Sequence, residues 1–225
     1  GRVTIDAGVL QVDGAIRADG AAVPIDDSFY YQPGAGAGGS ILIRAGTLRG
    51  SGRISAAGGG NGRDVWNSYG GSGGGGRVAV YYDALSLPVD SITARGGVAV
   101  NVPGVGGSAG TVYLKANAQP YGSVIIDNGN NACELYSPLR TLLSQLKQLQ
   151  VQARGRLRAV TGEVAAVTID QPVVVSDLSA LSLDSLVTLA VSNGSGADVI
   201  VAGQGLLTLA AGSRLAASAV RIDGG

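Results

Sequence analysis

The sequence predicts an all-β chain wound as a right-handed parallel β-helix, a solenoid whose Gly-rich loops project from one corner. Three observations carry this. Glycine fills 38 of 225 positions, more than twice the ~7% of ordinary usage. Short runs of Val, Ile and Leu alternate at period two, the mark of strands with one buried face. A 38-residue unit also recurs: Ile16, Ile54 and Ile92 keep that interval, as do Ala18, Ala56 and Ala94, and Gly20, Gly58 and Gly96. The right hand is expected from the strong preference of parallel crossovers.

Each copy has one anatomy. An alternating pair opens it (Val3/Ile5, Ile41/Ile43, Val78/Val80) and a middle segment follows around Leu10, Leu48 and Leu85 or Leu87. The sequence Ile-x-Ala-x-Gly closes it. A shortened fourth copy runs from Thr111 to Gly129, opening on Val112/Leu114. Three short strands joined at glycine corners make one coil, and a lone coil buries too little apolar surface to offset the entropy of ordering it. Stacking supplies the difference. The surplus in each unit leaves the coil as a loop, at 21–39, 59–76 and 97–110.

The organisation expected is a solenoid with long loops over 1–129, then over 130–225 a continuation with short loops or a second β-rich layer. Beyond 146 the alternating runs sit closer together, at Leu149/Val151, Val167/Ile169, Leu181/Leu183, Val199/Val201, Leu207/Leu209 and Val220/Ile222. One stretch conflicts locally. Over 137–148, Leu139, Leu142, Leu143 and Leu146 follow helical spacing behind Ser137-Pro138, an N-cap and N1 pattern that predicts a short helix.

Composition narrows the function. The glycines cluster, which excludes collagen. An apolar share of 45% and zero formal net charge do not describe a disordered chain or a nucleic-acid binder. The apolar runs fall short of the ~20 residues that span a bilayer. With no His, a Ser-His-Asp triad is impossible. The single Cys133 allows neither a disulfide scaffold nor a Cys-rich metal site, and is expected to be a buried thiol. No cofactor and no metal are expected. Lacking Met and starting without a signal-peptide pattern, the chain reads as a processed product or an excerpt. Its ends share a Val-x-Ile-Asp-x-Gly pattern at Val3 and Val220. Flanking domains or like subunits are therefore expected at both solenoid ends.

The segments GAGAGGSILIRAGTLRGSGRISAAGGG, GGSGGGGRVAVYYD and SAGTVYLKANAQPYGSVIIDNG, over roughly residues 34–129, resemble Gly-rich parallel β-helix repeats of large bacterial secreted and surface proteins. Those repeats are adhesin-like and pectin-lyase-like. The resemblance implies an extracellular stalk, spacer or adhesive module. It brings no catalytic motif onto this chain.

The glycine clusters lead into strands, and no GxxxxGK[ST] phosphate loop is present. The loops are the better site candidate. Loop 21–39 carries Asp26, Asp27, Phe29, Tyr30 and Tyr31; loop 59–76 carries Asn61, Arg63, Asp64, Trp66, Asn67 and Tyr69. They hold half of the chain's ten aromatics. Aromatic faces flanked by Asp, Asn and Arg suit contact with surface glycans or with other surface proteins. The ligand-binding set is Asp26, Asp27, Tyr30, Tyr31, Arg63, Asp64, Trp66, Asn67 and Tyr69, against the plainer reading that the aromatics cover the glycine corners. No catalytic residue is assigned. Two other functions stand beside adhesion: a self-assembling filament protomer, and a polysaccharide-degrading enzyme, for which the scattered Asp residues show no matched acid–base pair.

Overall fold

The computed structural model describes residues 1–23, 33–62, 70–99, 106–139, 144–194 and 196–223. Its first half holds β1 (Arg2–Gln11), β2 (Ala15–Arg17), β3 (Ser40–Arg49), β4 (Arg53–Ser55), β5 (Arg77–Leu85), β6 (Ile92–Thr93) and β7 (Thr111–Ala116). Strands β1, β3, β5 and β7 lie side by side and parallel, and β2, β4 and β6 form a second parallel sheet. The repeat columns coincide with the register: Ile16 pairs with Ile54 and Ile54 with Ile92. Val3, Ile41, Val78 and Val112 form one row, Ile5, Ile43, Val80 and Leu114 the next. Most of these aliphatics belong to one buried core, with Val3, Ile5 and Ile16 packed on it.

The second half begins with β8 (Ser123–Asp127), β9 (Ser137–Leu139), β10 (Gln145–Leu146), β11 (Gln148–Gln152), β12 (Arg156–Ala159), β13 (Ala166–Ile169) and β14 (Val173–Val175). It ends with β15 (Ala180–Leu183), β16 (Thr188–Val191), β17 (Val199–Val201), β18 (Leu206–Leu209), β19 (Arg214–Ala216) and β20 (Val220–Ile222). The chain visits three sheets in strict rotation. Strands β8, β11, β14, β17 and β20 extend the sheet of β1 to nine strands; β9, β12, β15 and β18 make another; β10, β13, β16 and β19 a third. All these pairs are parallel. The protein is nearly all-β, built on parallel sheets.

One pair breaks the rule. Strands β7 and β8 run antiparallel, with Val112 opposite Ile125 and Tyr113 opposite Val124. Residues directly opposite share a face of the sheet. Val112 lies in the first-half core and Ile125 packs on it, whereas Val124 lies in the second-half core and Tyr113 packs on that. The two cores therefore occupy opposite faces of one nine-stranded sheet. Reversing the strand direction and exchanging the buried face together amount to a half-turn about the stacking axis.

The local helix pattern over 137–148 is overridden in its described part. Ser137–Leu139 and Gln145–Leu146 are strands, and the only helical residues among those described form one turn at Val89–Ser91. Leu139 and Leu146 are buried in the second core, and parallel neighbours pair with their backbones. Pro138 is tolerated because β9 is an edge strand. Cys133 is buried and free. No helix among the described residues is long and apolar enough to cross a membrane.

Corners differ between the halves. After β8, β11, β14 and β17 the chain turns through two residues of positive φ: Gly129-Asn130, Ala153-Arg154, Asp177-Leu178 and Gly203-Gln204. The corners stack, Asn130 N–H donating to Ala153 O, Arg154 to Asp177 and Leu178 to Gly203. In the first half, a ladder of peptide groups joins the loop bases. Gly36 N–H donates to Ala21 O, Gly59 to Gly36, Gly73 to Gly59, Gly97 to Gly73 and Gly107 to Gly97, at 2.8–2.9 Å. A methyl on Gly73 would collide with the Gly36 carbonyl, and one on Gly107 with that of Gly73.

Three stability predictions rest on these corners. Gly73→Ala should lower the unfolding free energy by about 3 kcal/mol or more, the upper range of overpacking costs. Gly71→Ala, with nothing within 4 Å of the added carbon, should change it by less than about 0.5 kcal/mol. Ala153→Gly, at φ 50°, should raise stability by about 1 kcal/mol by relieving left-handed strain. Urea titration of the three variants reads all of this.

Candidate functional site

The expected contact residues Asp26, Asp27, Tyr30, Tyr31, Arg63, Asp64, Trp66, Asn67 and Tyr69 lie outside the described residues, as does Phe29. What is described is the ground they grow from. The flanks of all three loops enter the glycine ladder, so their bases are held side by side. Strand entry is locked in the same way. Gly39 N–H donates to Ala18 O, Gly76 to Ala56 and Gly110 to Ala94, at 2.6 or 2.7 Å. Asn61, at the base of the second loop, is 2% exposed, and its N–H reaches Val98 O of the third at 3.3 Å.

Side chains complete this ladder where backbone runs out. Gly20 N–H donates to Ala57 O and Gly58 to Arg95 O. The next member, Gly96, donates instead to the side-chain oxygen of Asn128 at 2.9 Å. The Asn128 amide also donates to Gly107 O and Asn131 O, while the Asn131 amide donates back to Gly96 O at 2.9 Å. A buried amide thus replaces the peptide of a further coil and ties the loop bases to the second half.

Carboxylates act between coils in the same fashion. Asp19 accepts from Ser55 Oγ at 2.6 Å, from Ala57 N–H at 2.8 Å and from Arg17 Nε at 2.9 Å. Partial burial works to raise its pKa, but those hydrogen bonds outweigh it and hold the group below the ordinary 3.8. Asp13 is lowered by the Gln11 side chain and Ser51 N–H, and Asp198 by the N–H groups of Asn193 and Ser218. These carboxylates are occupied in holding coils together. Among the described residues no group of three His, Cys, Asp or Glu is placed to hold a metal ion.

A second feature arises at the strand reversal. Because the core changes face there, the outer surface of β5 and β7 meets the first strands of the second half and forms an open recess of about 470 Å³. Arg77, Ala79 and Tyr81 face it from β5 and Thr111 and Tyr113 from β7, against Pro138, Leu139 and Leu146. The Tyr81 and Tyr113 rings meet edge to face, centroids 5.9 Å apart. Burial raises the Tyr113 phenol above its usual range, Tyr81 adding to this and the Gly122 N–H opposing it. Sequence reasoning missed this recess, since no residue in it announces that two strands meet head-on.

Comparison with protein-family models, curated proteins and solved structures returned no match.

Asp19 gives a pH test of the loop base. A carboxylate whose folded pKa is depressed contributes stability that is complete above its unfolded value, near 3.9, and is lost as pH falls through the folded value. Asp19→Asn should therefore be less stable than wild type at pH 7. The difference should shrink below about pH 4, as followed by urea unfolding of both proteins between pH 2 and 7.

Proposed function

We propose that this chain is a length of right-handed parallel β-helix from an extracellular surface or fibre protein, and that it is a rigid mount for attachment loops. The rotation of the chain through its parallel sheets, in register, supports the β-helix reading; the right hand rests on the general preference of parallel crossovers. One observation carries the functional reading. The bases of three successive loops are clamped by backbone hydrogen bonds, and a methyl added at Gly59, Gly73, Gly97 or Gly107 would collide with a neighbouring carbonyl. Such a base holds loop positions fixed, so that docking orders few further degrees of freedom. Tyr30, Tyr31, Trp66 and Tyr69 supply the amphipathic rings for a glycan or protein surface, with Asp26, Asp27, Arg63, Asp64 and Asn67 as hydrogen-bonding partners.

A filament protomer is the second reading, favoured by the outermost strand β20. Its Val220 and Ile222, in register with buried Val199 and Val201, are 47% and 72% exposed. Further coils or a second copy would cover them equally well.

The test is retention on arrays of surface glycans and surface proteins. Wild-type chain should be retained, and Trp66→Ala should lose at least tenfold in affinity with unchanged circular dichroism. Equal retention of the two removes the loop site. Light scattering that grows with concentration, with no retention, selects the filament. Depolymerisation of polymeric uronates selects an enzyme.

A further inference from the structure

We infer that the cavity at the strand reversal is a second binding site, for a small amphipathic anion: a flat apolar body carrying one carboxylate. The inference does not rest on the attachment loops.

The volume, about 470 Å³, falls in the range of ligand pockets, roughly 300–1,000 Å³. Its two sides differ in chemistry. Val124, Leu139 and Leu146 give an aliphatic wall from the second core. Arg77 stands at the opposite side, on the same face of β5 as Ala79 and Tyr81. Another outward arginine of this sheet, Arg44 on β3, is engaged by Asp6 at 3.3 Å. Among the described residues Arg77 enters no ion pair, and none of the described lining residues is a carboxylate. A guanidinium over hydroxyls and rings, without an anion of its own, selects a negatively charged partner. Its planar fork matches a carboxylate in two-point contact.

Spacing fixes the shape. Tyr113 lies opposite Ala79, two residues from Arg77 along the strand, or about 7 Å, and Tyr81 lies about 13 Å from it. Ala79 leaves the floor between them low. A two-ring body spans this distance, with its carboxylate at Arg77, its face on Tyr113 and its edge on Tyr81. A polyhydroxylated sugar would waste the aliphatic wall, because its hydroxyls would lose water there without partners.

The full chain is titrated calorimetrically with 2-naphthoate, its neutral isostere 2-naphthalenemethanol, and glucuronate. Naphthoate should bind at one site, at least tenfold tighter than either of the others. Arg77→Gln, an exposed change, should weaken naphthoate to the level of the alcohol and leave the alcohol unaltered. Ala79→Leu, filling the floor, should abolish both, with the melting curve verifying that it folds. The proposal is overturned if naphthoate shows no saturable binding, if Arg77→Gln leaves its affinity unchanged, or if glucuronate binds as tightly.

Discussion

Backbone pairing between successive coils governs this protein. Each of strands β1 to β5 finds its next parallel neighbour 34 to 38 positions on, and its peptide groups are satisfied only when the two advance in step. A slip of one residue would turn Ile41, Ile43 and Val80 outward and bring Arg44 and Tyr81 into the core. The aliphatic columns are thus a consequence of pairing as much as a cause of it. The same requirement explains the glycine ladder. Where loop bases must pair as closely as strands, while entering and leaving the coil, there is room for peptide groups alone.

The reversal between β7 and β8 is the second organising feature. A chain that changed strand direction and kept its core on the same face would reverse its hand, against the preference of parallel crossovers. Changing both preserves it. The cost is an interface where outward-facing residues of one half become the floor of the other. Tyr113 shows this double role, sitting on the outer side of its own coil and packing on the neighbouring core. The recess beside it lies where the two cores, on opposite faces of one sheet, meet.

Much of the fold could be read from residue order. Ile16, Ile54 and Ile92 announced their column, and the alternation at Val124/Ile126 or Val199/Val201 announced strands. Other features left no trace. Leucine and arginine do not advertise a left-handed turn, yet Leu178 and Arg154 adopt one because stacked corners above and below impose it. The leucine spacing from 139 to 146 is a local helix signal, and at its described ends, Leu139 and Leu146, parallel neighbours that satisfy the same backbone overruled it. Asn128 resembled any turn asparagine until its amide was seen to complete the Gly96 and Gly107 peptides. Of the loop site, the clustering of the bases was legible from the surplus lengths; the aromatic residues themselves lie outside the described parts. The recess was illegible because it depends on how two halves meet, which no periodicity encodes.

The nine-stranded sheet has a modular consequence. Coils of the second half recur every 21 to 26 residues along a straight edge, and none of them touches the glycine layer beyond the first. Strands could be gained or lost there three at a time, one to each sheet, while the glycine layer stays untouched. The extent of the sheets and the arrangement of the loop bases would then vary as separate traits.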